Sequence, residues 1–322
     1  MTFSAHNENW HIRLNTSRVC ADIIPARAID YSQSAARDAF CNYTQAWAAK
    51  GYVTEDAAVL AVFQQTCAES GILNFLTDGL LRTEHFPQLV DALDAAPLRF
   101  ATMRHPRPGV YPIVDTLDHL SALLDAGAQI IQLRVKSDQL TPELRQTITQ
   151  AVKLAQRYPE SQLFVNDYWQ AAIDAGAYGV HLGQEDLLTA DLCALQRAGL
   201  RLGVSSHAFW EVARAFTIRP SYIACGPVFP TRAKAMPWIA QGLDNLRYWV
   251  GLLPFPVVGI GGVNTGNLQS IHDTGCASAS IIQAIVSAGN PAKAYQDLQS
   301  MWVSFAPPRS SEITLARPTL AA

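Results

Sequence analysis

The stretch Ala126-Gly127-Ala128-Gln129-Ile130-Ile131-Gln132-Leu133-Arg134-Val135-Lys136 joins a helix stop to a short apolar run in a chain of 322 residues. Glycine at a helix end takes the left-handed conformation that turns the chain. The run after it lacks clean polar alternation, as expected of a strand covered on both faces. The same stop recurs at Ala175–Ala177, Ala198-Gly199 and Thr274-Gly275. Apolar runs recur with it at Tyr111–Asp115, Gln129–Lys136, Gln162–Asp167, Gly179–Gly183, Arg201–His207, Tyr222–Phe229, Pro256–Gly262 and Ala277–Ala284. Helical patterns lie between them, at His119–Ala126, Thr141–Arg157, Trp169–Ala175, Leu187–Ala198 and Asn267–Thr274. Eight such units predict an α/β fold, a (β/α)8 TIM barrel with functional groups at the C-terminal ends of its strands. An open doubly wound sheet is the alternative, and it does not usually need eight strands of such regular spacing.

Outside this region the rhythm stops. Residues 1–104 show helical patterns near Ser34–Lys50 and Glu55–Glu69 but no strand-helix alternation, which predicts a mainly helical N-terminal extension. Thr54-Glu55-Asp56 is placed to cap the second helix with acidic groups at its positive end. Arg104–Gly109, with Pro106 and Pro108, reads as a linker, so the barrel is expected over 105–305. Residues 306–322, with Pro307, Pro308 and Pro318, are expected to form a flexible tail.

Period-two alternation sets Gln132, Arg134 and Lys136 against Leu133 and Val135. Three polar residues cannot pack on helices, so they are expected to line the barrel interior near its mouth, where two cations attract a phosphorylated ligand. An exposed edge strand is the other reading, and Ile130 and Ile131 weigh against it. Asp167 and Asp186 follow neighbouring runs. Either alone would be read as a helix cap, but two carboxylates beside a cationic phosphate site invite a hard divalent ion. His181, among apolar neighbours, reads as a hydrogen-bonded core histidine without a chemical role. Gly203–His207 offers hydroxyls and amides to phosphate, and its Ser206-His207 pair is discounted as a nucleophile because adjacent strand residues face opposite ways. Gly226–Lys234 is a turn-rich loop with the cations Arg232 and Lys234, and a plain surface loop is its other reading. Gly259–Asn264 exposes backbone amides where barrels of this kind hold phosphate.

These motifs together resemble the thiamine-phosphate synthase family. The resemblance runs from about Tyr111 to Val303, with QLRVK at Gln132–Lys136, NDYW at Asn166–Trp169, GVHLGQEDL at Gly179–Leu187, GVSSH at Gly203–His207, GPVFPT at Gly226–Thr231 and IGG at Ile260–Gly262. It implies a transferase that joins hydroxymethylpyrimidine diphosphate to thiazole phosphate, giving thiamine phosphate and diphosphate. It implies that Gln132, Arg134, Lys136, Asn166, Ser205 and Lys234 contact the pyrimidine diphosphate, with Arg134, Lys136, Ser205 and Lys234 as the catalytic set. Asp167 and Asp186 would hold Mg²⁺. Thr231, Gly262, Ile282 and Gln283 would hold the thiazole phosphate. Ala233 and Gln283 depart from the family, which has a threonine and a serine there, and Arg232 is placed to pair with the phosphate instead. Ala49–Ala61 faintly resembles the end of a hydroxymethylpyrimidine phosphate kinase that some bacteria fuse to this synthase. Without that kinase's Gly-rich turn, residues 1–104 read as a remnant lacking kinase activity.

The expected partners are small molecules. A net charge of −3 argues against a nucleic-acid or membrane surface. The weakly charged stretch Tyr248–His272 is broken by Pro254, Pro256 and several glycines, so no membrane span is expected. A homo-oligomer is left open. Six cysteines without a C-x-x-C pair fit a reducing, cytoplasmic setting, and Met1–Trp10 lacks the pattern of an export signal. The rival functions are a thiazole tautomerase-like isomerase, a non-catalytic regulator on the same barrel, and a phosphate-binding barrel isomerase of sugar or tryptophan metabolism. The first two do not need the Asp167–Asp186 pair.

Overall fold

The structure is a computed structural model describing residues 1–7, 9–137, 139–231, 237–308 and 312–320. Two N-terminal helices, Ser34–Ala48 and Thr54–Glu69, lie where the sequence predicts them. The same region also holds a sheet that the sequence reading does not foresee. Strands β1 (Thr2–His6), β2 (Asn9–Asn15), β3 (Cys20–Ile24) and β4 (Gln88–Val90) pair antiparallel in that order. Trp10, Ile12 and Leu14 alternate with polar residues in β2, but His11 and Asp22 on the strands are buried as well, which blurs the pattern. Arg13 pairs with Asp22 through Oδ2 of that buried carboxylate.

Eight parallel strands form the barrel: β5 (Gly109–Val114), β6 (Ile130–Leu133), β7 (Gln162–Asn166), β8 (Gly179–Leu182), β9 (Arg201–Ser206), β10 (Tyr222–Cys225), β11 (Val257–Ile260) and β12 (Ser278–Ile281). They close in the order β10-β11-β12-β5-β6-β7-β8-β9. Each predicted run coincides with one strand; β5 starts at Gly109, ahead of its run at Tyr111, and the other strands are shorter than their runs, whose polar ends belong to the loops beyond. The left-handed stops are in place, with Gly127 at φ 82 and Gly176 at φ 67. Helix Pro142–Ala155 is capped by Thr141, whose hydroxyl accepts from the Leu144 amide at 3.3 Å. The pattern at Leu187–Ala198 forms a helix only over Leu192–Arg197, and a separate short helix, Gln184–Leu187, ends where the pattern begins.

The extension and the barrel share one apolar core. Helix Thr54–Glu69 is buried on all sides from Ala57 to Phe63, as a helix sandwiched between layers must be. It packs against helix Phe209–Ile218 of the barrel, and on either side of it in the chain Tyr52 lies edge-on to Phe209 at 5.9 Å and Phe86 edge-on to Phe216 at 5.7 Å. Glu55 and Asp56 do more than face a helix dipole. Glu55 accepts from Thr16 Oγ1 at 2.5 Å, and Asp56 accepts from the Trp210 amide at 3.0 Å. The tail needs a correction too. Ala316, Thr319 and Leu320 are buried, the Tyr52 hydroxyl donates to the Ala316 carbonyl at 2.6 Å, and Thr319 Oγ1 donates to the His207 carbonyl at 2.7 Å. Residues 312–320 thus include carbonyls and apolar side chains that dock on the body, where the sequence predicts a flexible tail. Among the described residues, no helix is long and apolar enough to cross a membrane.

Candidate active site

The barrel interior is closed by aromatic rings. Tyr111, Phe164 and Tyr222 meet at ring distances of 5.8, 5.1 and 6.4 Å, within a cluster completed by Met103, Ile130, Ala224 and Val258. Glycines opposite make room for them. A Cβ on Gly203 would lie 2.1 Å from the Tyr222 ring, and one on Gly179 would lie 2.5 Å from Phe164. Burial pushes the Tyr111 and Tyr222 hydroxyls well above the usual phenol range, so both remain protonated donors at neutral pH.

Above this floor stand the residues singled out from sequence. Gln132 is buried on β6, with Nε2 3.3 Å from Tyr111 Oη. Arg134 extends the ladder by one bond, its amide donating to the Val114 carbonyl at 2.7 Å, and its side chain is half-buried. The strand has ended by then, so the alternation argument covers Gln132 and Arg134 but not Lys136, which is exposed in the following loop. Asn166 closes β7 and is buried.

Asp167 has a left-handed backbone, φ 62, and its amide donates to the His181 carbonyl at 3.0 Å. That bond ties the turn after β7 to strand β8. Tyr168, not Asp167, is the N-cap residue of helix Trp169–Ala175, and the Tyr168 side chain makes no capping hydrogen bond. In the capping alternative Asp167 therefore does not hold the N-cap position itself. For Asp186 it is half realised: Oδ2 accepts from the Gly183 amide at 3.1 Å, while the side chain remains partly exposed at the barrel mouth. No group of three or more His, Cys, Asp or Glu able to hold a metal occurs among the described residues. The pair suits an ion that takes one or two carboxylates and completes its shell with substrate phosphate oxygens, as magnesium does. It does not suit an all-protein cage.

Ser205, half-exposed near the end of β9, has its Oγ 2.8 Å from His181 Nε2. His181 is buried, and its Nδ1 lies 2.8 Å from Tyr222 Oη. The histidine is thus a hydrogen-bonded interior residue, as expected from sequence, but its partner is a candidate site serine. His207 turns away from Ser206: its Nδ1 is 2.8 Å from Glu211 Oε2, and its ring stacks on Trp238 at 5.0 Å. A Ser-His nucleophile is not formed there.

On the other side of the mouth, the glycine turn after β11 and the loop after β10 are joined through backbone. The amides of Val228 and Phe229 donate to the carbonyls of Ile260 and Gly261 at 2.8 and 3.0 Å. A Cβ on Gly262 would come within 2.7 Å of Phe229 and Pro230. This contact carries Thr231 to the same end of the barrel, whereas Arg232, Ala233 and Lys234 lie outside the described residues. Ile282 follows β12 and Gln283 is exposed, its Oε1 accepting from Ser287 Oγ at 2.9 Å. Two surface hollows, of about 290 Å³ beside Thr77–Arg82 and Ile313 and about 200 Å³ beside Ala126 and Tyr295, contain none of these residues. Tyr111 and Tyr222 are the interior polar residues that the sequence reading passed over. Their inward parity within buried runs was the available signal.

Comparison with known proteins gives a family model for thiamine monophosphate synthase that matches residues 110–285. The thiamine-phosphate synthase of Serratia proteamaculans is 49% identical over 181 residues, covering 56% of this chain and 84% of that protein. That of Neisseria meningitidis is 45% identical over 193 residues, covering 60% and 93%. Among solved structures, a thiamine phosphate pyrophosphorylase from Pyrococcus furiosus matches with a TM-score of 0.55 and 29% identity, over 62% of this chain and 97% of that one.

Proposed function

Because this chain belongs to the thiamine monophosphate synthase family, we propose that the mouth of its barrel binds pyrimidine diphosphate on the β6–β9 side and thiazole phosphate on the β11–β12 side. The chain is a transferase that joins these two substrates into thiamine phosphate and releases diphosphate. The observation that carries the placement is that Arg134, Asn166, Asp167, Asp186 and Ser205 all lie at or just beyond the C-terminal ends of four adjacent strands. Nothing in the site favours the tautomerase or regulator readings.

The reaction breaks the bond between the pyrimidine methylene carbon and the diphosphate oxygen, and the electron pair leaves with diphosphate. The lone pair of the thiazole ring nitrogen forms the new carbon–nitrogen bond. No proton needs to be removed from either partner, so no general base is required. Arg134 and Lys136 supply positive charge for the leaving diphosphate, with Lys234 assigned to the same task by resemblance. Ser205 and Asn166 offer neutral hydrogen-bond partners, and Gly262, Ile282 and Gln283 offer the thiazole phosphate a place in line with the leaving group. Magnesium, held by Asp167 and Asp186 with the substrate's own oxygens, would neutralise charge on the departing diphosphate. The free thiols of Cys20, Cys41 and Cys193 are exposed, which fits a reducing compartment such as the cytoplasm.

The test is a magnesium titration of turnover. Chelation abolishes activity in the parent, and Asp167→Asn raises the magnesium concentration needed for half-maximal rate. Full activity of metal-free protein contradicts the metal assignment.

A further inference from the structure

We infer that Tyr111, Tyr222 and His181 are positioning residues, forming a directed hydrogen-bond chain from Gln132 that presents the Ser205 hydroxyl as a donor to a diphosphate oxygen. The inference rests on the placement of pyrimidine diphosphate proposed above. Four contacts cross the barrel in sequence. Gln132 Nε2 lies 3.3 Å from Tyr111 Oη, Tyr111 Oη 2.9 Å from Tyr222 Oη, Tyr222 Oη 2.8 Å from His181 Nδ1, and His181 Nε2 2.8 Å from Ser205 Oγ. The five residues come from β6, β5, β10, β8 and β9.

The direction follows from counting hydrogens. An amide nitrogen only donates, so Tyr111 Oη accepts from Gln132, and the buried Tyr111 hydrogen is satisfied by going to Tyr222 Oη, 2.9 Å away. The Tyr222 hydrogen then goes to His181 Nδ1. A neutral imidazole with an accepting Nδ1 carries its hydrogen on Nε2 and donates it to Ser205 Oγ. Ser205 is left with its own O–H, and it is the one member of the chain that is not buried. A phosphate oxygen accepts and does not donate, so a serine fixed as a donor is complementary to it. A chain running the other way would turn a lone pair toward the anion.

No link can reverse alone, because each hydroxyl and the neutral ring have a single hydrogen to give. The geometry is held by packing: His181 stacks on Tyr222 at 5.6 Å with an interplanar angle of 18°, over the space left open by Gly203. No proton is transferred in this arrangement, and its effect is orientation.

The test pairs spectroscopy with kinetics. In ¹⁵N-labelled full-length protein without ligand, the His181 imidazole, assigned by difference from His181→Gln, is expected as the Nε2–H tautomer. Tyr222→Phe keeps the ring but removes the donor to Nδ1, and is expected to give a tautomer mixture. The same variant should raise KM for pyrimidine diphosphate by on the order of tenfold or more, as befits a weakened hydrogen bond to a charged ligand, and leave KM for thiazole phosphate unchanged. His181→Gln, which can keep an N–H near the Nε2 position, should retain more activity than His181→Leu. If Tyr222→Phe does not fold, Tyr111→Phe breaks the chain one link earlier. An Nδ1–H tautomer in the parent overturns the inference. So does parental kinetics in the folded variant, or an equal change in both KM values. If the parent protein forms no thiamine phosphate, the functional reading fails instead, and the imidazole spectrum still decides the direction of the chain.

Discussion

Asp167 holds a left-handed backbone at φ 62, a conformation that costs a non-glycine residue about 1 kcal/mol. The N-cap position of the helix that follows belongs to Tyr168. Asparagine tolerates the same conformation, so Asp167→Asn removes the charge and keeps the turn. Asp167→Asn and Asp186→Asn are each expected to lower turnover by on the order of 10²-fold, with thermal unfolding little changed, since each takes one charge from a leaving-group clamp. Near-parental turnover of both variants at limiting magnesium contradicts that role. Strand-end residues such as Asn166, Asp167 and Ser205 were legible in the sequence because a short apolar run marks where each strand stops. Lys136 was misplaced onto the strand because alternation continues in the letters after the ladder has ended. Gly203 was read as part of a phosphate turn, whereas its missing Cβ accommodates Tyr222. Local sequence cannot show what a residue faces across a barrel, and the links between His181, Tyr222 and Ser205 are all of that kind.

At the scale of elements, helix Thr54–Glu69 and helix Phe209–Ile218 form the joint between extension and barrel. Asp56 sits in that joint, and burial raises its carboxyl pKa to about 7, with the nearby Glu211 and Glu55 adding to the shift. In the unfolded chain the same group titrates near 3.8. Between these values the folded state holds the proton and the unfolded state does not, so folding loses stability as pH rises from about 4 to about 7. Asp56→Asn removes this dependence and can still accept from Trp210. The variant should resist denaturant better than the parent at pH 8, with the two converging towards pH 4. A difference that grows towards acid would reverse the sign and contradict the assignment. The sequence revealed this helix but not its surroundings. A helix apolar on every side signals burial between layers, and only the structure shows which layers these are.

At the scale of the whole molecule, the barrel was legible because its units repeat, and each repeat reinforces the reading of the next. The extension has no such repetition. Its sheet is built from short strands, and β4 has only three residues, too few to show a period. The shared core gives a direct expectation: a protein starting at Arg104 exposes Phe209, Trp210 and Phe216 and should aggregate or unfold. A monodisperse, active fragment in sedimentation and turnover assays would show that the extension is dispensable. The tail belongs to the same assembly, since Thr319 joins the His207 carbonyl to the Ile239 amide beside the mouth.

This barrel forms a carbon–nitrogen bond at the expense of a diphosphate ester. The most direct measurement incubates the purified full-length protein with hydroxymethylpyrimidine diphosphate, thiazole phosphate and magnesium, and follows both products over time. Thiamine phosphate and diphosphate are expected to appear together in equal amounts, and neither should form when the thiazole phosphate is left out. Folded protein that releases diphosphate without forming thiamine phosphate, or that turns over neither substrate, would contradict the account.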